Sequence, residues 1–335
     1  MGGPMDVPPD ADMPRRGLTP RQRRRLTAAA AIAALLLLVR CASMSAAAAG
    51  DGIEVCGQRF PIATTVVNWR EPGGYDAYQR GKRFTVEDPP DGKLRYSPLR
   101  GNLPAAIQER AAANGLDLAS LRQVVHQFVL HYDTTGTSRQ CFKVLQDVRN
   151  LSVHFLLDVD GTIYQTLDLR EKAHHATIAN DFSVGIEIAH PGAWKQPMNA
   201  DMARWYGKDE LGWFMKTPAW MTEPGIRTPG FVARPARPDI IAGRVQGDVY
   251  HQLDFTEPQY VALARLCAAL AQVFPRLRLE VPRNPDGSIV DHALSADELR
   301  AFDGIVGHFH VQTNKQDPGP AMQWERLLRD ARAAR

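Results

Sequence analysis

The stretch "VVHQFVLH", residues 124–131, constrains the fold more than any other part of this chain. In an extended strand alternate side chains face opposite ways, so Val125, Gln127, Val129 and His131 share one face and Val124, His126, Phe128 and Leu130 the other. Both faces are largely apolar, and both must be covered. That predicts a central strand with packed layers on either side. Further strands follow. "VHFLLDVDGTIYQTL" reads as a hairpin turning at Asp160-Gly161. "SVGIEIA" sets Val184, Ile186 and Ile188 on one face and Gly185 and Glu187 on the other, so Glu187 points away from its apolar neighbours.

Helical patterns alternate with these runs. "LPAAIQERAAANG" predicts a short helix closed by Gly115. "DFTEPQYVALARLCAALAQVFP" offers Thr256 as N-cap, Pro258 in the first turn and apolar residues at helical spacing, and a last short helix is expected around 324–332. Strands interleaved with helices predict an α/β fold, a mixed central β-sheet flanked by helices. A hydrophobic content of 44% over 335 residues is enough to bury its core.

The remaining segments set the boundaries. Residues 1–50 read as an export segment: a basic cluster (Arg15, Arg16, Arg21, Arg23, Arg24, Arg25), the apolar run Leu26–Val39, and a small-residue tract with cleavage options near Ala46–Ala49. The apolar run is short for a membrane span, and Met13 reads as an alternative start. Cys41 stands where a lipid-bearing cysteine could stand, but Arg40 precedes it where such sites carry a small residue. Residues 51–118 form a turn-rich preamble, and 119–335 form the main domain. Residues 191–250, rich in Pro, Gly and Trp, are too long for an ordinary connection and read as either a functional lobe or a disordered insertion.

The formal charge of +3 comes largely from the N-terminal arginines, leaving the rest near neutral, and nothing in it suggests a nucleic-acid-binding face. Cys56, Cys141 and Cys267 have no CxxC spacing, so one disulfide at most is expected.

A catalytic zinc takes three protein ligands from His, Cys and carboxylates and leaves a fourth position for water. His131 ends the central strand. His308 and Asp317 lie in Gly307–Trp324, a stretch rich enough in Gly, Pro, Asn and Gln to argue against a helix. The three could converge at one end of the sheet, where two neutral imidazoles and a carboxylate would leave a charge near +1 on a zinc site. A lone histidine at a strand end is more commonly a satisfied polar group, so spacing leaves the trio open.

Five motifs in order, "VLHYDTTG", "VHFLLDVDGTIYQ", "KAHHAT", "NDFSVGIEIAH" and "GHFHVQTNKQDPGPA", resemble the type 2 N-acetylmuramoyl-L-alanine amidases. That zinc-dependent family is related to phage lysozyme-type amidases and peptidoglycan recognition proteins. The likeness covers about 120–190 and 252–328. It implies that His131, His308 and Asp317 are the zinc ligands, the last of which is a cysteine in some relatives. It also implies that Glu187 is the catalytic glutamate, that Lys315 assists it, and that His175 lines the substrate pocket. His174 stands where the family usually has Trp. His310 rivals His308, since in an extended chain the two point the same way. His154 and His126 read as structural.

The resemblance implies an exported zinc amidase that acts on peptidoglycan or muropeptides in the periplasm or outside the cell, with membrane association possible only through the N-terminal segment. The rival classes are a non-catalytic peptidoglycan-binding module and a zinc amidase or peptidase acting on another N-acyl bond. The indole rings of Trp194, Trp205, Trp213 and Trp220 could stack on sugar or simply pack the insertion.

Overall fold

A computed structural model describes residues 52–85 and 92–335; the expected export segment, with Cys41 and the cleavage positions, lies outside the described residues. In chain order, β1 (Gly52–Val55) and β2 (Gln58–Pro61) form a hairpin, β3 (Val66–Asn68) and β4 (Tyr96–Ser97) follow, and then come α1 (Ala105–Asn114) and α2 (Leu118–Val124). β5 (Gln127–Tyr132) leads through α3 (Ser138–Lys143) to β6 (Phe155–Leu157), β7 (Ile163–Gln165), β8 (Lys172–Ala173) and β9 (Ser183–Ile188). The insertion holds α4 (Ala200–Trp205), the hairpin β10 (Tyr206–Asp209) to β11 (Gly212–Met215), and the hairpin β12 (Ile241–Val245) to β13 (Asp248–Gln252). Then come α5 (Glu257–Val273), α6 (Ala296–Ala301), β14 (Gly304–Gly307), α7 (His308–Val311) and α8 (Trp324–Ala333).

Six strands form the central sheet in the order β14-β5-β9-β6-β7-β3. β14, β5, β9 and β6 run parallel, β7 is antiparallel to β6, and β3 is parallel to β7, so the sheet is mixed as expected. The alternation read from the sequence decides which side chains go where. Phe128, Leu130, Val184, Ile186, Ile188, Phe155 and Leu157 lie in the main core, together with the apolar residues of α5 and α8. Val129 and Val306 pack on the opposite face with Ala176, Ala179 and Leu299. Both faces of β5 are thus covered, and all six of its residues are buried.

Helix α5 begins in a capping box. The Thr256 hydroxyl accepts the Gln259 N–H at 3.3 Å, and the Gln259 side chain accepts the Thr256 N–H at 2.9 Å, with Pro258 in the first turn. Gly115 ends α1 at φ +73°, its N–H donating to Ala111 O at 2.8 Å. The preamble also supplies the edge strand of the sheet, β3, whose Val66 and Val67 are buried. Cys56, Cys141 and Cys267 are all unpaired.

Two expectations need correction. The stretch after Gly307 does contain a helix, the single turn α7, because one turn needs no propensity once Phe309 and Val311 are buried on it. The disordered alternative for 191–250 also fails. Met202, Tyr206 and Leu253 form a small core of their own, with Trp194, Trp205 and Trp213 packed around it.

Candidate metal centre

In a parallel α/β sheet the carboxyl ends of the strands gather the loops that carry chemistry. Here β5, β9 and β14 all end on the same side. His131 pairs in register with Glu187, and Gly307 with Leu130, so His308 is the first residue beyond β14 at the level of His131. The chain makes one turn, with Gln312 N–H donating to His308 O at 3.1 Å, and returns so that Phe309 N–H meets Asp317 O at 3.1 Å. The structure therefore brings His131, His308 and Asp317 together.

His131 Nδ1 and His308 Nδ1 are 2.9 Å apart, and Asp317 Oδ2 lies 3.0 Å from the first and 2.9 Å from the second. All three residues are buried, and they form the only such cluster among the described residues. Their outward atoms indicate the protonation. His308 Nε2 is 2.8 Å from Gln312 Oε1, which can only accept, so the His308 proton sits on Nε2. His131 Nε2 lies 3.0 Å from His175 Nδ1, and a proton on that Nε2 leaves the His131 Nδ1 lone pair to the cluster. The two Nδ1 atoms and the carboxylate oxygen thus form a close triangle of donor atoms that one cation can bridge.

This donor set, two neutral imidazoles and a carboxylate with each imidazole held from behind, fits zinc. The electrostatics agree. Burial, and next the adjacent His308, push the His131 pKa down to about 4, keeping it a neutral donor. Burial alone would raise Asp317, yet His308 and His131 hold it well below the usual carboxylate range.

Glu187 stands beside His131 on the same sheet face, half-buried, with Oε2 unpartnered. Burial first, then the charges of Asp317 and Asp133, raise its pKa well above that of a free glutamate. Lys315 is half-buried, and its charge acts on both His131 and Glu187. His175 packs flat on the backbone of Gly185, where a Cβ would come within 2.5 Å of the ring, so only glycine leaves it room. Asn180 Oδ1 accepts the N–H groups of His175 and Ala176, fixing the turn that carries the imidazole. His174 turns the other way, to Ser97 Oγ at 2.9 Å.

The other histidines are engaged elsewhere. His310 does not face His308's way, because the chain is helical there rather than extended. Its Nδ1 accepts Gly307 N–H at 2.9 Å, and its Nε2 donates to Val290 O at 2.7 Å. His154 accepts Gly185 N–H at Nδ1 and reaches Glu171 O from Nε2, and His126 reaches Val124 O while stacking on Phe182. Gln312 escaped the sequence reading. Its only sequence signal is the i, i+4 spacing from His308, which brings two side chains together only in a helix.

Residues 121–208 match the family N-acetylmuramoyl-L-alanine amidase. The chain carries a domain of the type 2 N-acetylmuramoyl-L-alanine amidase family. Among solved structures it is similar to a selenomethionine derivative of AmpD, at 18% identity over 62% of this chain and 86% of that one, with a TM-score of 0.30. It is also similar to the amidase AmiD from E. coli in complex with anhydro-N-acetylmuramic acid-L-Ala-D-γ-Glu-L-Lys, at 18% identity, 62% and 57% coverage and a TM-score of 0.35. A third is AmpDh3 from Pseudomonas aeruginosa, at 18% identity, 62% and 59% coverage and a TM-score of 0.33. The chain thus spans less than two thirds of the AmiD and AmpDh3 chains. No curated protein sequence matches it.

Proposed function

We propose that the protein is a zinc-dependent N-acetylmuramoyl-L-alanine amidase, hydrolysing the amide between the lactyl group of N-acetylmuramic acid and L-alanine in peptidoglycan or muropeptides. The observation that carries this reading is the convergence of His131 Nδ1, His308 Nδ1 and Asp317 Oδ2 within 3.0 Å of one another, beside Glu187. The family match over 121–208 supports it.

Zinc held by these three residues supplies Lewis-acid polarisation of a carbonyl and acidification of a water. The protein's own groups do the rest. Glu187 has a carboxylate oxygen that no protein group occupies, so it is free to take the proton of the attacking water. It then passes that proton to the alanine nitrogen as the C–N bond breaks. Lys315 stabilises the negative charge on the carbonyl oxygen, a role worth about 3 kcal/mol. Gln312 and His175 hold the two imidazoles in orientation, and the half-buried His175 is the residue expected to line the substrate pocket.

Such a substrate lies outside the cytoplasmic membrane, and the layout of residues 1–50 is in keeping with export. Among the described residues no helix is long and apolar enough to cross a membrane. An exported chain is expected to begin between Ala46 and Asp51 by mass spectrometry; a lipid on Cys41 or an intact N-terminus would instead mean anchoring.

The activity is tested by digesting purified peptidoglycan with and without a chelator. New L-alanine amino termini, stem peptides freed from sugar, and loss of both with chelator are expected. Cleavage confined to the stem would reject the reading in favour of a peptidase, and binding without cleavage in favour of a recognition module.

A further inference from the structure

The segment carrying His308 and Asp317 has little regular structure of its own. Beyond the turn of α7, its internal backbone bonds are few: Gln312 N–H to His308 O, Lys315 N–H to Gln312 O, and Phe309 N–H to Asp317 O. Yet two ligands and Lys315 must be held to within a fraction of an ångström for the triangle of donors to persist. The missing restraint comes from the β12–β13 hairpin, which begins in the insertion, ends at Gln252 and lies beyond residues 121–208 that match the family.

Gln246, at the β12–β13 turn with φ +54°, sends its side chain onto this loop. Its Nε2 lies 2.8 Å from Phe309 O, 2.9 Å from Gln312 O and 3.3 Å from Lys315 O, while its Oε1 accepts Ala293 N–H at 3.2 Å. One amide thus gathers three carbonyls that all lie between the two ligands. Its own N–H is anchored to Asp291 O at 2.8 Å. At the other end of the hairpin Gln252, fully buried, donates to Pro318 O at 3.1 Å and accepts Ala321 N–H at 2.9 Å. The fit there is close. Gly319 adopts φ +83°, and a Cβ on it would fall 2.2 Å from Gln252 Oε1.

We propose that Gln246 and Gln252 are positioning residues for the metal centre, and that the β12–β13 hairpin is the brace setting the distance between His308, Lys315 and Asp317. The inference rests on reading the three donors as a zinc site. It assigns part of the insertion to the centre itself, whatever the rest of the insertion contacts. Gln246 is the better probe, being half-buried at a turn, whereas Gln252 is a core residue whose loss endangers folding.

The test is Gln246→Ala in the full protein, with zinc affinity read by competition against a chromophoric chelator and site geometry by the visible spectrum of the cobalt-substituted form. A 10- to 100-fold loss of zinc affinity, roughly the effect of removing an outer partner of a metal ligand, and altered cobalt bands are expected. On a small muropeptide kcat should fall more than KM rises. Gln246→Glu, which keeps the acceptor and loses the donor, should behave alike. The control is Thr228→Val, which cuts a different tether of the same insertion, the Thr228 Oγ1 to Asp160 Oδ2 bond of 2.8 Å, and should leave zinc affinity and the cobalt spectrum unchanged. Wild-type affinity in Gln246→Ala, or an equal loss in Thr228→Val, would overturn the brace alone. Failure of the wild-type protein to bind zinc would overturn both the brace and the amidase reading.

Discussion

His308 and His310 are two residues apart, both buried, and chemically alike, yet their surroundings give them opposite expected behaviour. His308 Nδ1 faces His131 and Asp317, while both nitrogens of His310 are spent on the backbone at Gly307 and Val290. His308→Ala is therefore expected to lose zinc and activity together. His310→Ala should cost about 2–4 kcal/mol of stability, through a cavity and two stranded backbone groups, while its folded fraction keeps zinc. Metal analysis of both variants decides; full zinc occupancy in His308→Ala would sink the ligand assignment. Glu187 separates chemistry from binding. Glu187→Gln keeps size and polarity but cannot carry the proton, so zinc should stay bound while turnover drops by roughly 100-fold or more. A fully active Glu187→Gln enzyme would mean that another group serves as base.

At the scale of elements, the insertion has a division of labour that its composition did not disclose. Three of its four tryptophans pack: Trp194, Trp205 and Trp213 surround Met202, Tyr206 and Leu253. Trp220 is 57% exposed and meets Trp205 edge-on, with ring centroids 6.2 Å apart. Trp205 in turn lies against Gly136, in the loop that follows the His131 strand. This leaves Trp220 as the most exposed indole of the insertion, with a face open for stacking on a sugar ring. Trp220→Ala should change stability by no more than about 0.5 kcal/mol and leave zinc in place. It should weaken action on polymeric peptidoglycan more than on a small muropeptide. Equal loss on both, in parallel digests, would mark the segment as a brace only.

Over the whole molecule, buried acids set how stability responds to pH. Asp158 is fully buried, with one oxygen accepting Val159 N–H at 2.8 Å and the other unpartnered. Burial raises its pKa to about 8, against about 3.9 in an unfolded chain. Between those values the native state holds a proton that the unfolded state has released. This contribution is thus complete below about pH 4 and is lost as pH rises toward 8. Asp158→Asn, which mimics the protonated acid, should flatten the decline in the metal-free protein by up to about 1.4 kcal/mol per pH unit. Denaturant unfolding at pH 5 and pH 8 measures it, and an unchanged slope would show that Asp158 ionises freely in the folded protein.

The features legible in the chain are those written in local pattern. Alternation over 124–131 and 183–188 was enough to make β5 an interior strand, to separate Val184, Ile186 and Ile188 from Glu187, and to put His131 at a strand end. Thr256 and Gly115 announced their helix ends because capping depends on residues a few positions apart. Tertiary structure decided what no short window holds. The single helical turn at His308–Val311 turns His310 away from the donors and supplies Gln312 as the partner of His308. β3 joins the sheet by pairing with a strand almost a hundred residues away. Gln246 reaches carbonyls 63 to 69 positions along the chain. The reason is common to all three: a turn, an edge strand and a side-chain clamp are each too weakly preferred locally to form alone, and exist because the packed sheet brings distant backbone groups into range and leaves them needing partners.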